Sequence, residues 1–468
     1  MTHRASLRGS GYSDSHLDSP RIRFRRALML CLLTVLVPGA GHLAVGRRVV
    51  GWLALTLWLG VLAGGGYLLW RYRTDRAEVI GWFTDPDVLL TARIAIVTVA
   101  ILWGILFLDV WRLASPFRLD FVRAALVTVL NLAIIGGVAG STAYASQVIK
   151  VSRETVTQVF PENVPTSEPL KGRYNILLIG SDARADRAGV RPDSLTVASI
   201  DADTGKVVLV SLPRNLQNVP FSKGSPMLQV YPNGYNCGPT CLLNAVHTEA
   251  QNRTDLYPDS KDPGLEATID AVEGATDLKV NYYVMVNLNG FKGLVDAVGG
   301  VEMDVKTRIA MFGHDDAYKQ TYIEIGKQKL DGQQALWYAR SRVQSDDYTR
   351  MGRQKCLMAA MADQLSPTTV LRNATKIASS GKELLSTTIP QQELGQFADL
   401  ALKSRGAKIR TVSIVPPQFN TETPDYVAIH AAIQKAIDKS EGTLPSKKGP
   451  KDDSGRASNN SDDLKATC

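Results

Sequence analysis

The sequence is poor in cysteine, with only five in 468 residues. A structural zinc site needs four good ligands, and the stretch NCGPTC supplies only Cys237 and Cys241. His247 lies nearby, but no second closely spaced cysteine pair follows. A zinc cluster is therefore not expected. In an exported domain we expect at least one of Cys237, Cys241 and Cys356 to be oxidised, although the spacing leaves the pairing open and free thiols are the alternative.

Features of nucleic-acid-binding proteins are also lacking, although the formal net charge is +8. The arginines are not interleaved with aromatic residues on which bases could stack, and no recognised nucleic-acid-binding motif is present. The chain also has no pair of helices typical of DNA readers. Nucleic acid is therefore not an expected partner, and a cytoplasmic transcription regulator is disfavoured.

Hydrophobic residues make up 45% of the chain but are unevenly distributed. Four long apolar stretches lie at residues 27–46, 49–70, 94–108 and 124–145. Runs of about 20 apolar residues are long enough to span a bilayer. Because these stretches continue far beyond the length of a cleavable signal peptide, residues 27–145 are interpreted as a membrane region. Residues 1–26 are predicted to be a basic cytoplasmic tail.

Four spans with an outside amino terminus would export the large domain but leave the arginine-rich tail outside. Two other topologies are possible for this membrane region. Four spans that start from a cytoplasmic tail would return the rest of the chain to the cytoplasm. If residues 38–41 instead turn the first stretch into a hairpin, three spans remain and the large C-terminal domain is extracellular. The second topology places more arginine on the cytoplasmic side, as the positive-inside rule requires. We therefore expect a multi-pass protein of the cell membrane with three spans plus a hairpin, or four spans.

The rest of the chain divides where its composition changes. Residues 146–172 are polar and contain three prolines, so they are predicted to be a linker. Residues 173–365 alternate between strand and helix patterns, which predicts a layered α/β domain. Residues 366–440 are predicted to extend this domain. Residues 441–468 are rich in Lys, Asp, Ser and Gly and are expected to be disordered.

Residues 173–215 contain three short apolar runs with charged ends. The runs at 175–179, 194–200 and 207–212 are predicted to be strands. The charged residues at their ends are Asp182, Arg184, Arg191, Asp193 and Arg214. Carboxylate oxygens bind Mg²⁺ together with phosphates, and arginine binds phosphate bidentately. A metal site with a phosphorylated ligand is one interpretation, and ordinary surface ion pairs are the other.

A second group of basic residues lies in the stretch 335–354, ALWYARSRVQSDDYTRMGRQ. The first two arginines alternate on a predicted extended segment and so point the same way. The next two and the glutamine are three or four residues apart on a predicted helix, so they share a face. They form a candidate anion site, with ion pairs to the aspartates at 346 and 347 as the alternative. The candidates are Arg340, Arg342, Arg350, Arg353 and Gln354.

The order and spacing of several segments resemble the LytR-CpsA-Psr family. These segments are NILLIGSDAR (175–184), RPDSLTVASID (191–201), VSLPRN (210–215), YYVMVNLNGFKGLVDAVGGVEMDV (282–305), LDGQQALWYARSR (330–342) and DDYTRMGRQ (346–354). The resemblance covers about residues 173–365, and the preceding membrane segments also suit the family. It implies an α/β/α fold around a mixed central sheet, preceded by transmembrane helices.

The resemblance also implies an activity. The family transfers a cell-wall glycopolymer from a polyprenyl-pyrophosphate carrier to peptidoglycan, and the product is a phosphodiester. It implies Mg²⁺ as the cofactor, with Asp182 and Asp193 as its ligands. Asp193, Arg214, Arg340 and Arg342 are the expected catalytic residues. The residues expected to bind pyrophosphate are Arg191, Arg214, Arg340, Arg342, Arg350, Arg353 and Gln354.

The chain departs from the family pattern in two places. Asn215 stands where the family often has aspartate, and Leu242-Leu243-Asn244 stands where the family has Lys-Leu-Asn. The second change removes one expected basic contact to pyrophosphate. An apolar groove must hold the lipid, and the predicted helices at 265–276 and 288–298 are candidates to line it.

Two other functions would use the same residues. A polyprenyl-pyrophosphate phosphatase would use water as the acceptor, and a non-catalytic envelope scaffold or regulator would bind the lipid carrier without turnover. The three functions differ in their product: a phosphodiester, free phosphate, or none. The sequence does not identify the glycopolymer, the acceptor sugar or the general base.

Overall fold

The computed structural model describes residues 20–162, 164–181, 192–311, 321–343, 345–364, 385–405, 407–445 and 457–468. The chain divides into two compact units. The membrane unit comprises residues 1–79 and 87–150, and the sheet unit comprises residues 80–86 and 151–468. The predicted site residues Asp182 and Arg191 lie outside the described residues, as does Arg184.

The first part of the chain is helical. Its helices are α1 (Pro20–Leu36), α2 (Ala40–Ala44), α3 (Arg48–Thr74), α4 (Arg76–Trp82), α5 (Pro86–Leu113) and α6 (Phe121–Val159). Within the described residues, three stretches are long and apolar enough to cross a membrane: Arg48–Thr74, Pro86–Arg118 and Phe121–Val159. The first half of the linker predicted at 146–172 is part of α6, because this helix continues to Val159.

The break predicted at residues 38–41 separates α1 from α2. Gly39 adopts φ +96°, and a Cβ at this position would lie 2.3 Å from the carbonyl oxygen of Gly51 in α3. Only glycine allows both this backbone conformation and this close approach. The hairpin is also held to α5, because Asp109 lies 3.1 Å from His42 Nε2 and 2.9 Å from Arg47 Nη1. Ionisable groups among apolar helices pair with one another in this way.

The sheet unit is built on a six-stranded sheet with the order β10-β3-β2-β1-β4-β9. β1 pairs in parallel with β4 and β3 with β10, and the other neighbours are antiparallel, so the sheet is mixed. Two small sheets pair β5 with β8 and β6 with β7. The strands are β1 (Arg173–Ser181), β2 (Pro192–Asp201), β3 (Val207–Leu212), β4 (Tyr282–Asn287), β5 (Val301–Val305), β6 (Ile309–Ala310), β7 (Tyr322–Ile323), β8 (Gly326–Leu330), β9 (Leu385–Thr387) and β10 (Ile409–Ser413).

Helices cover both faces of the six-stranded sheet. Side chains alternate between the faces of a strand, so Val197 of β2 belongs to one core and Ala198 to the other. The first core includes residues of α7 (Val246–Gln251), α8 (Pro263–Thr276) and α13 (Tyr426–Glu441). The second includes residues of α9 (Leu288–Ala297), α10 (Gly332–Arg340), α11 (Asp347–Gln364) and α14 (Leu464–Thr467). This arrangement confirms the predicted α/β/α fold.

Three strand ends meet at one edge of the sheet. β2 is antiparallel to both β1 and β3, so it begins where they end. The register places Ser181 opposite Pro192 and Leu195 opposite Leu212. The ends of β1 and β3 therefore share an edge with the start of β2. The three predicted strands are therefore neighbours in the sheet. Their charged ends can lie close together only in such an arrangement.

The described residues between 385 and 440 contribute two strands to the main sheet. β10 pairs with β3 from Ile409 and Val207 onwards, and β9 pairs with β4. Helix α12 (Leu394–Ser404) packs Leu400 against Tyr174 and Tyr282 at the β1–β4 side. The predicted boundary at residue 365 therefore cuts through a single folded unit.

Residues 457–468 are folded, which corrects the prediction that they are disordered. They contain α14, and Cys468 forms a disulfide with Cys356 of α11. A second disulfide joins Cys237 and Cys241. The predicted oxidation among Cys237, Cys241 and Cys356 is confirmed, and the partner of Cys356 is Cys468, which is not one of the three candidates.

Candidate active site

Asp193 and Arg214 form an ion pair at the shared edge of β2 and β3. Arg214 Nη1 donates to Asp193 Oδ1 at 3.0 Å, and the side chains are 32% and 30% exposed. The backbone of Arg214 is fixed because its carbonyl accepts a hydrogen bond from the Asn244 amide at 3.1 Å. The pair is therefore held in position while about a third of each side chain remains accessible to a ligand.

Asp347, the first residue of α11, contacts three guanidinium groups. Its Oδ1 lies 3.2 Å from Arg342 Nε and 3.8 Å from Arg214 Nε. Its carboxylate also accepts hydrogen bonds from Arg350 Nε at 3.2 Å and Nη2 at 3.0 Å. One carboxylate thus holds arginines from three separate segments together. From the sequence, Asp347 is predicted only as an alternative ion-pair partner of the arginines, although its position three residues before Arg350 indicates a shared helix face.

The start of α11 is fixed by Asp346. Its Oδ1 accepts hydrogen bonds from the backbone amide of Thr349 at 2.8 Å and from the Thr349 hydroxyl at 2.6 Å. This is the pattern of a helix N-cap, which satisfies amides that lack a partner within the helix. The two neighbouring aspartates therefore differ in role: Asp346 stabilises the helix end, and Asp347 contacts the arginines.

Arg340 is the last residue of α10, so the prediction of an extended segment is wrong at this position. A capping box between Asp331 and Gln334 starts this helix. The guanidinium carbon of Arg340 lies 5.7 Å from the centre of the Trp337 ring. Arg342 lies in the loop that follows. Both arginines nevertheless line the same cavity.

Arg353 is predicted to bind pyrophosphate but is not among the residues that line this cavity. It is 5% exposed, and its Nη2 donates to the Ser341 carbonyl and to the Ser345 hydroxyl, the latter at 3.1 Å. Burial lowers the pKa of Arg353 to about 10. Its guanidinium lies 5.9 Å from the centre of the Tyr338 ring. Arg353 therefore stabilises the loop that carries Arg342.

Gln354 connects the sheet to the end of α10. Its Oε1 accepts a hydrogen bond from the Ser194 hydroxyl at 3.1 Å, and its Nε2 donates to the Ala339 carbonyl at 3.1 Å. It also lines the cavity. These bonds fix the distance between the start of β2, with Asp193, and the segment with Arg340.

An apolar cavity of about 870 Å³ lies beside these polar groups. The predicted helix at 288–298 contributes to its wall, whereas α8, the other candidate, packs in the core on the opposite face of the sheet. The apolar lining residues include Leu178, Val284, Val286, Leu288, Phe291, Leu336, Trp337, Leu357, Met358 and Met361. The same cavity is lined by Asp193, Arg214, Arg340, Arg342, Arg350 and Gln354.

The four arginines of this cavity, Arg214, Arg340, Arg342 and Arg350, are called the arginine cluster. Asp193 and Asp347 provide two carboxylates beside four guanidinium groups, which leaves a formal surplus of two positive charges among the described residues. Burial lowers the pKa of Arg342, and the nearby positive charges of Arg350 and Arg214 lower it further. Because the positive charges of these arginines repel one another, the site favours a bound anion.

Asp193 is the one predicted magnesium ligand that the structure describes. Its carboxylate is the kind of hard oxygen donor that Mg²⁺ prefers. Among the described ranges, no group of three or more metal-binding side chains occurs. The described donors fit the predicted magnesium site in chemistry, and the second predicted ligand, Asp182, lies outside the described residues.

The chain is similar to several curated proteins. It is 27% identical over 247 residues to the polyisoprenyl-teichoic acid–peptidoglycan teichoic acid transferase TagV of Bacillus subtilis, covering 52% of this chain and 57% of that protein. It is 27% identical over 301 residues to the cell wall biosynthesis protein LcpA of Corynebacterium glutamicum, covering 58% of this chain and 57% of that protein. The chain thus spans little more than half of the length of either relative.

The chain is also similar to a third curated protein and to a solved structure. TagU of Bacillus cereus, with the same transferase description as TagV, is 27% identical over 278 residues, which cover 57% of this chain and 78% of that protein. The crystal structure of B. subtilis TagV aligns with 59% of this chain and 100% of its own, at 24% identity and a TM-score of 0.40. The model of the LytR_cpsA_psr family matches residues 139–443, well over half of the sequence, and the chain therefore belongs to the LytR-CpsA-Psr family.

Proposed function

We propose that this protein transfers a cell-wall glycopolymer from a polyprenyl-pyrophosphate carrier to peptidoglycan and forms a phosphodiester link. One observation carries the proposal: the arginine cluster lies in the same cavity as an extensive apolar wall. A polyprenyl-pyrophosphate donor has a densely charged head and a long apolar tail. The relatives TagV and TagU are named polyisoprenyl-teichoic acid–peptidoglycan teichoic acid transferases, which supports a transfer of this class.

The arginine cluster is proposed to bind the pyrophosphate. Arginine forms paired, charge-assisted hydrogen bonds to phosphate oxygens. Asp347 holds three of the four guanidinium groups before a ligand arrives, so little reorganisation is needed on binding. Groups that are oriented in advance stabilise charge that develops during a reaction. Arg214 and Arg342 have exposed side-chain fractions of 32% and 44%, which makes them accessible to the phosphates.

The proposed reaction exchanges one phosphorus–oxygen bond for another. An acceptor hydroxyl of peptidoglycan attacks the phosphorus that carries the glycopolymer, and the phosphoanhydride bond to the polyprenyl phosphate breaks. The hydroxyl proton passes to a base; Asp193 could accept it only where its carboxylate does not hold Mg²⁺, so no residue is assigned this role. The arginine cluster neutralises the charge that develops on the leaving polyprenyl phosphate. Mg²⁺, when held by Asp182 and Asp193, would supply further charge neutralisation at the phosphates.

The apolar wall is proposed to hold the start of the polyprenyl chain. Residues from β4, α9, α10 and α11 contribute to it. Burial of apolar surface contributes about 25 cal/mol for each Å² removed from water. The wall therefore supplies affinity for the tail while the arginine cluster selects the head, and a water-soluble sugar phosphate would lack the first contribution.

The large domain is proposed to lie outside the cell membrane. The arginine distribution of the sequence favours this topology, and the two disulfides of the sheet unit suit an oxidising compartment. Reporter fusions at Lys150 would test it. An inactive alkaline phosphatase fusion together with an active cytoplasmic reporter at the same position would contradict the proposal.

The activity itself is tested by incubating the purified full chain with a polyprenyl-pyrophosphate-linked oligosaccharide, peptidoglycan and Mg²⁺. We expect a phosphodiester-linked product and release of polyprenyl phosphate. A donor that is cleaved only to free phosphate would identify a phosphatase instead. Donor binding without any product would identify a carrier-binding protein.

A further inference from the structure

Residues 457–468, here called the clip, are held against the sheet unit at several points. Thr411 of the edge strand β10 and Ser461 exchange two backbone hydrogen bonds, at 2.9 and 3.3 Å. Leu464 is fully buried in the second core. Cys468 is covalently bound to Cys356 of α11. The clip is therefore attached to both β10 and α11.

Asn459 of the clip connects two positions of α11. Its Oδ1 accepts a hydrogen bond from Lys355 Nζ at 2.8 Å, and its Nδ2 donates to the backbone carbonyl of Tyr348 at 2.8 Å. The residue is 2% exposed, so water cannot easily replace either bond. Lys355 Nζ also contacts the Ser413 hydroxyl. One amide side chain thus joins the middle of α11 to its first turn.

The first turn of α11 carries the residues that organise the candidate active site. Tyr348 directly follows Asp347 and lies two residues before Arg350. Its phenol oxygen is 3.1 Å from Thr421 Oγ1 and 3.5 Å from Asn215 Nδ2. The turn is therefore fixed by its Tyr348 carbonyl as well as by its side chains. Because the Asp347 carboxylate contacts three arginines, a small rotation of this turn would move the contacts of all three.

We propose that Asn459 is a positioning residue for the pyrophosphate site, acting through the Tyr348 carbonyl on the orientation of Asp347. The inference rests on the proposed function, because it takes the arginine cluster as the pyrophosphate site. Asn459 does not line the cavity. Substitution of Asn459 should therefore weaken binding of the charged head of the donor and leave the apolar wall in place.

The experiment measures the affinity of the full chain in detergent, with Mg²⁺ present, for inorganic pyrophosphate and for farnesol by calorimetry. We expect Asn459→Ala to weaken pyrophosphate binding roughly tenfold, the effect of losing about one buried hydrogen bond. Farnesol affinity should change by less than about twofold. Asn459→Asp keeps the acceptor for Lys355 but loses the donor to Tyr348, so it should weaken pyrophosphate binding by a similar factor.

A matched control separates this effect from general weakening of the clip. Lys439 of α13 forms an ion pair with Asp462 of the clip at 2.9 Å, and this contact does not involve α11. Lys439→Met should leave the affinity for both probes unchanged.

The inference is overturned if Asn459→Ala and Asn459→Asp bind pyrophosphate as tightly as the wild type does. It is also overturned if the two variants lose farnesol and pyrophosphate affinity together, because that pattern indicates a loss of fold rather than of positioning. A wild-type protein that binds neither probe would overturn the proposed function first, and the inference with it.

Discussion

Arg350 and Arg353 lie one turn apart on α11 but have different surroundings. They are similarly buried, at 3% and 5% exposure. Arg350 is paired with the Asp347 carboxylate and lines the cavity. Arg353 instead donates to the neutral Ser341 carbonyl and Ser345 hydroxyl, and the Tyr338 ring lies beside it.

The comparison shows that burial and sequence spacing do not identify a ligand-binding arginine. What distinguishes Arg350 is a carboxylate partner together with a cavity beside it. Arg350 Nη2 also donates to the Asp193 backbone carbonyl at 3.4 Å, but its shorter hydrogen bond, at 3.0 Å, goes to the Asp347 carboxylate. A ligand anion can compete with that carboxylate for Arg350. Displacing Arg353 would leave the buried Ser341 carbonyl without this donor, which costs about 1–3 kcal/mol. We therefore expect a ligand to bind Arg350 and expect Arg353 to contribute to stability.

The largest effect is expected at Arg350. Arg350→Ala removes charge-assisted hydrogen bonds, each of which contributes about 1.5–3 kcal/mol. We expect kcat/KM for the proposed transfer to fall about 10²–10³-fold, as losses of that size predict. Arg308→Ala is a suitable control, because Arg308 forms an exposed ion pair with Glu324. Wild-type transfer rates in folded Arg350→Ala protein would remove the distinction between the two arginines.

The opposite pattern is expected at Arg353. Arg353→Met retains apolar contact with Tyr338 but removes the donors to the loop at Ser341. We expect the free energy of unfolding to fall by about 1–3 kcal/mol, measured by urea denaturation. Transfer by the folded fraction should stay within about tenfold of the wild type. A variant with unchanged stability and no transfer activity would show that Arg353 acts on the ligand after all.

A smaller effect is expected when the charge of a cluster arginine is kept. Arg214→Lys preserves the positive charge beside Asp193 but cannot form two parallel hydrogen bonds to a phosphate. We expect transfer to fall about tenfold, equivalent to about one hydrogen bond. Steady-state kinetics at one ionic strength would measure it. If Arg214→Lys transfers at the wild-type rate, the arginine cluster acts through its net charge alone.

The last effect, on stability rather than on transfer, concerns Lys355, a third cation of α11. Burial lowers its pKa to about 7, whereas an unfolded lysine has a pKa of about 10.4. Between these values the unfolded chain binds a proton that the folded chain does not, so this residue makes stability rise with pH across that range. Urea denaturation of the wild type and of Lys355→Met at about pH 7 and about pH 9 should show a steeper rise for the wild type. Equal slopes would show that Lys355 stays charged in the folded protein.

Much of the fold was predictable from the sequence because apolar periodicity reports burial directly. The three strands between residues 173 and 215 are present, and the run at 207–212 matches β3 residue for residue. The site was only partly predictable. Arg214, Arg340, Arg342, Arg350 and Gln354 meet in one cavity as expected. Arg353 does not, because residues three apart on a helix can still face different neighbours.

Two features lay beyond sequence reasoning for physical reasons. Asp347 contacts Arg342 and Arg350, which are near it in sequence, but also Arg214, which is distant, so no local pattern reveals that one carboxylate joins all three. The clip has a polar composition typical of disorder, yet its hydrogen bonds to β10 and its disulfide to Cys356 hold it in place. A folded segment is usually recognised in a sequence by its apolar residues. In the clip, hydrogen bonds and a disulfide to remote partners provide the stability instead.

The central claim is that the arginine cluster and the apolar wall together hold a polyprenyl-pyrophosphate carrier. The most direct measurement is mass spectrometry of the lipids that copurify with the full chain from membranes. We predict that the wild type and Arg353→Met carry polyprenyl phosphate or pyrophosphate and that Arg350→Ala does not. Ordinary phospholipids alone in the wild type, or equal amounts of polyprenyl lipid in all three proteins, would contradict the claim.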